Sequence, residues 1–249
     1  MLSPRALLVR GMLAGLAAGF LAFVFAYFVG EGPIDQAITF EEANAAPHHA
    51  VADDPGGVSR AVQSTLGLIT ASLIYAVALG GIFAMAFAAA YGRIGRFGPR
   101  ATAALVALTG FLVVALVPWL KYPANPPATG DSETIGQRTS LFFLTMAIAL
   151  AGVALGGYLG RTQAARLGAW NAGLVGAGAF VLVVGLALAL LPSIEEVPEG
   201  FSPILLWNFR LASLGTQIVV WATLGLVFGP LVERGMRRSQ HAAAVAAGR

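Results

Sequence analysis

The sequence predicts an all-α integral membrane protein, a six-helix transmembrane bundle of three hairpins with both termini in the cytoplasm. Three observations carry this prediction. The chain is 57% hydrophobic and 11% charged, with a mean hydropathy of +0.78, whereas soluble domains carry about 25% charged residues. Six apolar segments approach the roughly 20 residues that a helix needs to cross a bilayer, where every buried backbone group must be bonded internally. The charges, finally, alternate between the ends of those segments.

The first span, Leu7–Val29, has a basic start and opens with Gly11-x₃-Gly15-x₃-Gly19. It is too long for the apolar core of a signal peptide, and Phe28-Val29-Gly30-Glu31 lacks a small-x-small cleavage site, so a retained helix is expected. The connector Glu31–Gln63 divides in two. Pro33 suits the first turn of a short amphipathic helix, with Ile34, Ala37 and Ile38 on one face and Asp35, Thr39 and Glu42 on the other. Asn44–Ser59 reads as a flexible loop around His48-His49 and Asp53-Asp54.

The second span, Thr65–Ala90, ends at Tyr91-Gly92-Arg93, and the third covers Ala101–Trp119. The fourth, Ser140–Leu159, closes with Gly152-x₃-Gly156-x₃-Gly160. The fifth covers Gly168–Leu191, and the sixth, Leu205–Gly229, ends in Gly225-x₃-Gly229. Small residues four apart allow close backbone approach in lipid, where apolar side chains gain nothing over lipid tails. Trp119, Trp170 and Trp207 sit at span ends as interfacial anchors, with Trp221 deeper. Residues 1–238 then form one transmembrane domain, and 239–249 a disordered cytoplasmic tail.

Orientation follows from the charges. Eleven of the 15 basic residues (Arg5, Arg10, Arg93, Arg96, Arg100, Arg161, Arg166, Arg234, Arg237, Arg238 and Arg249) fall at one set of span ends. Eleven of the 12 acids fall at the other, in the 31–63, 120–138 and 192–204 connectors. The positive-inside rule places the acidic connectors outside. Topology therefore explains the basic residues, and no nucleic-acid partner is implied.

Between the third and fourth spans runs Leu116–Arg138, LVPWLKYPANPPATGDSETIGQR. It holds the only lysine, Lys121, a proline-fixed Pro123-Ala-Asn125-Pro126-Pro127 run, Asp131, Glu133 and Arg138. Fixed backbone directions and both charge signs mark a shaped surface, an entrance wall at a membrane face. Asp131 and Glu133 are open to two readings, as cation-gathering carboxylates or as caps that favour the positive end of the fourth helix.

Metal ligands are sparse. His48, His49, Asp53 and Asp54 place imidazole and carboxylate donors suited to Co²⁺, Ni²⁺ or Zn²⁺ within seven residues of loop, though an ordinary polar loop would look the same. Glu31, Asp35 and Glu42 at the exit of the first span, with Asp131 and Glu133, suggest a vestibule that concentrates cations. Arg210 enters the sixth span from the outside, so it needs a carboxylate partner, with Glu31 or the Glu195–Glu199 group as candidates. Gln217 and Asn171 fit interhelical hydrogen bonding. The chain contains no cysteine, which removes thiolate sites. It also has no GxxxxGK[ST] and no HExxH, so no enzymatic reaction is expected.

Four segments carry a resemblance: GEGPIDQAITFEE, VSRAVQSTLGLITA, LVPWLKYPANPPATGDSETIGQRT and LLWNFRLASLGTQIVVWATLGLVFG. In this order, over nearly the whole chain, they resemble the CbtA family of predicted cobalt transporter subunits. The resemblance implies a multi-pass protein of the bacterial inner membrane that takes up Co²⁺ for cobalamin synthesis, with no resident cofactor. It also implies a small single-span partner, CbtB, bearing metal-binding histidines. Relatives often carry several histidines in the first outer loop, whereas this chain has only His48 and His49 there, which shifts weight to the partner. The alternatives are a non-transporting scaffold or sensor and a transporter of another solute, such as Ni²⁺ or a corrinoid.

Overall fold

The computed structural model describes residues 2–44, 58–131 and 133–247, and every regular element among them is helical. Five helices are long and apolar enough to cross a membrane: α1 (Pro4–Asn44), α2 (Arg60–Ala90), α3 (Pro99–Lys121), α4 (Ile135–Leu190) and α5, apolar within Pro203–His241. The 56-residue α4 contains both the fourth and the fifth expected segments. Gly168, with φ 77° and ψ 160°, breaks it, a backbone state that only glycine adopts without strain. Its arms, 135–167 and 169–190, fold back on each other. A Cβ on Gly156 would lie 2.6 Å from the Gly176 carbonyl oxygen, and one on Gly152 would lie 3.2 Å from the Phe180 ring.

The glycine spacing predicts helix contacts that the structure resolves into pairs. Gly11, Gly15 and Gly19 of α1 lie against the carbonyls of Gly80, Ala76 and Ser72 of α2, leaving no room for a Cβ. Gly225 and Gly229 of α5 rest on Ala107, Ala103 and Arg100 of α3. Larger residues fill the remaining space between α1, α2, α3 and α5. Phe228 meets Phe83 and Phe87 edge to face at 5.2 and 5.0 Å between ring centres, and Leu224 and Trp221 are buried beside them. Trp221 occupies the space that a side chain at residue 110 would need, so Gly110 fits there. The α4 arms reach this core through Val113 and Val117 of α3, packed on Ala149 and Val184.

Two expectations change. Pro33 does not begin a separate surface helix, because α1 runs unbroken from the first span to Asn44. The chain absorbs the missing Pro33 N–H in a widened π turn at Ala26–Gly30. Pro118 is preceded in the same way by a π turn at Phe111–Leu116. The second change concerns the tail, expected to be disordered from 239. Helix α5 continues through Ala247, consistent with the high helix propensity of HAAAVAA.

Polar contacts sort the helix ends into two groups. At the basic end, Arg10 donates to the Leu231 carbonyl (3.1 Å), Arg161 donates to the Arg93 carbonyl (2.7 Å), and Arg100 pairs with Glu233. At the acidic end, contacts tie α1 to α2 and the 122–134 connector to the 191–202 connector.

Candidate functional site

The four basic residues outside the basic end, Arg60, Lys121, Arg138 and Arg210, all lie in two polar clusters at the acidic end. The larger is a cleft of about 330 Å³ beneath the proline connector. Its shape begins with backbone restriction. Pro123, Pro126 and Pro127 fix φ, Ala128 (φ 64°) and Gly130 (φ 115°) turn the chain, and the Pro126 carbonyl accepts from both the Thr129 amide (3.2 Å) and hydroxyl (2.8 Å).

Across the cleft, the 191–202 connector runs between Pro192 and Pro198 and alternates its side chains. Ile194 and Glu196 turn inward, while Glu195 and Val197 stay exposed. Glu196 keeps only 3% side-chain exposure. It accepts from Arg138 Nη1 (3.1 Å), Asn125 Nδ2 (2.9 Å) and the Thr134 hydroxyl, and its backbone carbonyl accepts from the Gly130 amide (3.1 Å). Arg138 Nη2 also donates to the Pro123 carbonyl at 2.5 Å. The Arg138–Glu196 pair and these donors clamp both connectors to the start of α4.

Arg210 reaches this hub through Asn125, whose Oδ1 accepts from Arg210 Nη2 at 3.3 Å while its Nδ2 serves Glu196. The Arg210 carbonyl accepts from Trp119 Nε1 (3.1 Å), and its own Nε is buried without a partner among the described residues. Lys121 donates to the Ser193 hydroxyl at 3.1 Å. Tyr122 donates to the Pro192 carbonyl at 2.8 Å, and burial pushes its phenol above the ordinary value, so it remains a donor. The cleft thus gathers Lys121, Arg138 and Arg210 against Glu195 and Glu196, a lining with more positive than negative charge.

The second cluster joins α1 to α2. Arg60 pairs with Glu31, and with Asp35 at 3.0 Å. The structure therefore does not bring Arg210 and Glu31 together as one of the two expected pairings required. Arg60 occupies Glu31, and Arg210 approaches the Glu195–Glu199 segment through a neutral asparagine. Asp131 caps its own turn, accepting from the Glu133 amide at 2.9 Å, and Thr134, not a carboxylate, precedes the α4 helix. Glu42 and Glu133 are exposed.

No group of three or more His, Asp or Glu side chains able to hold a metal ion occurs among the described residues. His48, His49, Asp53 and Asp54 lie outside them. Sequence reasoning did not single out Glu196 or Arg60. The signal for Glu196 was the proline-bounded extended run, whose two-residue alternation turns one of two adjacent glutamates inward.

Among known proteins, no curated protein and no solved structure matches the chain. The family model described as "Probable cobalt transporter subunit (CbtA)" matches residues 4–233, nearly the full length, and the chain belongs to the CbtA family.

Proposed function

We propose that this chain is the membrane subunit of a Co²⁺ importer serving cobalamin synthesis in a bacterial inner membrane. The family match over residues 4–233 carries this reading; the family is one of transporter subunits, not of enzymes. In the proposed arrangement, six segments cross the bilayer, the two arms of α4 counting separately, with both termini inside. The acidic end then faces outward, and its connectors, with Glu42, Asp131 and Glu133 exposed, raise the local concentration of cations.

The donors proposed for the metal are His48, His49, Asp53 and Asp54, working with a small single-span CbtB-like subunit. Co²⁺ suits their imidazole and carboxylate groups. The cleft has a different role in this reading. Its uncompensated cations repel a bare divalent ion, so the Arg138–Glu196 hub shapes the outer face and holds α4 in place. Lys121, Asn125 and Arg210 form part of a wall that borders the entrance and does not bind the ion.

Cobalt accumulation in cells expressing the chain with its partner tests the proposal. Uptake above that of either subunit alone is expected, with His48→Ala/His49→Ala reducing it. Uptake equal to that of cells lacking both subunits would contradict it. Competition by Ni²⁺ and by a corrinoid in the same assay separates the alternative solutes.

A further inference from the structure

At the opposite, basic end, α1 and α5 line an open groove of about 540 Å³. Arg5 and Arg10 enter it from α1, and Arg234 and Arg238 from α5. None of its described lining residues is acidic. Glu233, the nearest acid in sequence, is already bound by Arg100 and Arg237.

Arg10 is built into the groove. It donates through Nε to the Leu231 carbonyl (3.1 Å) and through Nη1 to the Ala6 carbonyl (2.7 Å). Its guanidinium lies over Gly235, where a Cβ would come within 2.5 Å of Nη2. Arg5, Arg234 and Arg238 are exposed and make no ion pair among the described residues.

The spacing sets an amphipathic track. Arg5, Val9 and Leu13 follow at four-residue intervals and therefore share one face of α1. Val9 is 47% and Leu13 51% exposed. Positive charge at the helix end thus gives way, along one line, to an open apolar surface inside a membrane-crossing segment. The N-terminus of α1 adds its own partial positive charge at the same place.

We propose that this groove binds an anionic phospholipid. The four guanidinium groups hold the headgroup phosphate, which they match in charge and hydrogen-bond geometry. An acyl chain lies along Val9 and Leu13. Inorganic phosphate shares the headgroup chemistry but would leave the apolar half of the track unused.

Native mass spectrometry of the purified full chain in detergent, titrated with phosphatidylglycerol, phosphatidylcholine or inorganic phosphate, tests this. Phosphatidylglycerol should bind about tenfold more tightly than phosphatidylcholine, and Arg234→Gln/Arg238→Gln should remove that preference. Arg96→Gln/Arg166→Gln, which removes two exposed basic-end charges from outside the groove, should preserve it. Arg5→Gln, at the start of α1, should weaken it in part without touching a packed residue. Equal retention of the two lipids would overturn the proposal. So would equal loss in both double variants, which would reduce the effect to general surface charge. Displacement of the lipid by millimolar phosphate would also overturn it by assigning the groove to a free anion.

Discussion

Arg138 Nη1 lies 3.1 Å from Glu196 Oε2, and the glutamate side chain retains 3% exposure. Arg138 lies in the first turn of α4 and also holds the Pro123 carbonyl beyond α3, while Glu196 lies in the connector leading to α5, so their pairing fixes the outer ends of α3, α4 and α5 relative to one another. Breaking a buried pair from one side leaves an uncompensated charge and typically costs about 3–5 kcal/mol. Arg138 is a quarter exposed, so Arg138→Met is expected to cost about 3 kcal/mol, at the lower end of that range. Removing both charges with Arg138→Met/Glu196→Gln should cost less than the sum of the single changes. Thermal unfolding in detergent reads the cycle; strict additivity would show that the pair is not coupled.

Gly80 and Gly81 separate packing from propensity. A side chain at Gly80 would collide with the Gly11 carbonyl, whereas one at Gly81 would meet nothing within 4 Å. Gly80→Val should detach α1 from α2, with an overpacking cost of about 1–3 kcal/mol or more. Gly81→Ala should be neutral or gain up to about 1 kcal/mol from helix propensity. Folded yield and melting temperature decide; equal effects would contradict the assigned interface.

Much of this packing was legible because its chemistry is local. Four-residue glycine spacing marked the helix faces that approach closely, although their partners were not readable. Gly80 has no glycine four residues away, but Ser72, Ala76, Gly80 and Ala84 repeat small residues at that interval and meet the α1 glycines. The two-sided charge distribution was equally plain. Glu196 was not, since its burial depends on three donors, Asn125, Thr134 and Arg138, which are more than 55 residues away in sequence. Pro33 misled because a single residue signals helix initiation, while the π turn that accommodates it inside a helix depends on the preceding residues, Ala26–Gly30.

Gly168 reverses α4 at φ 77°, ψ 160°. Gly168→Ala should cost about 1–3 kcal/mol through backbone strain alone, because no side-chain contact is available there. Cysteines at 152 and 180, which face one another across the arms, should cross-link less readily in the variant. Unchanged stability and cross-linking would show that the reversal does not depend on glycine.

Arg60 pairs with both Glu31 and Asp35, offsetting one of their two negative charges. Asp35 is 62% exposed and Arg60 35%, but Glu31 keeps only 12%, so Arg60→Gln should cost about 1–3 kcal/mol by leaving Glu31 without its partner. Freeing two carboxylates at the acidic end should raise cobalt uptake at low ionic strength, and the gain should fade at high salt. A reduction in uptake that persists at all salt concentrations would instead make Arg60 a required part of the path.

Movement of the ion itself is the most direct measurement. The chain and its small partner are reconstituted into liposomes that enclose a Co²⁺-quenched fluorophore, and Co²⁺ is added outside. Quenching faster than in protein-free liposomes, and slower with His48→Ala/His49→Ala, is the predicted result. Quenching indistinguishable from protein-free liposomes, with both subunits folded and inserted, would contradict the assignment of this chain as the route for cobalt.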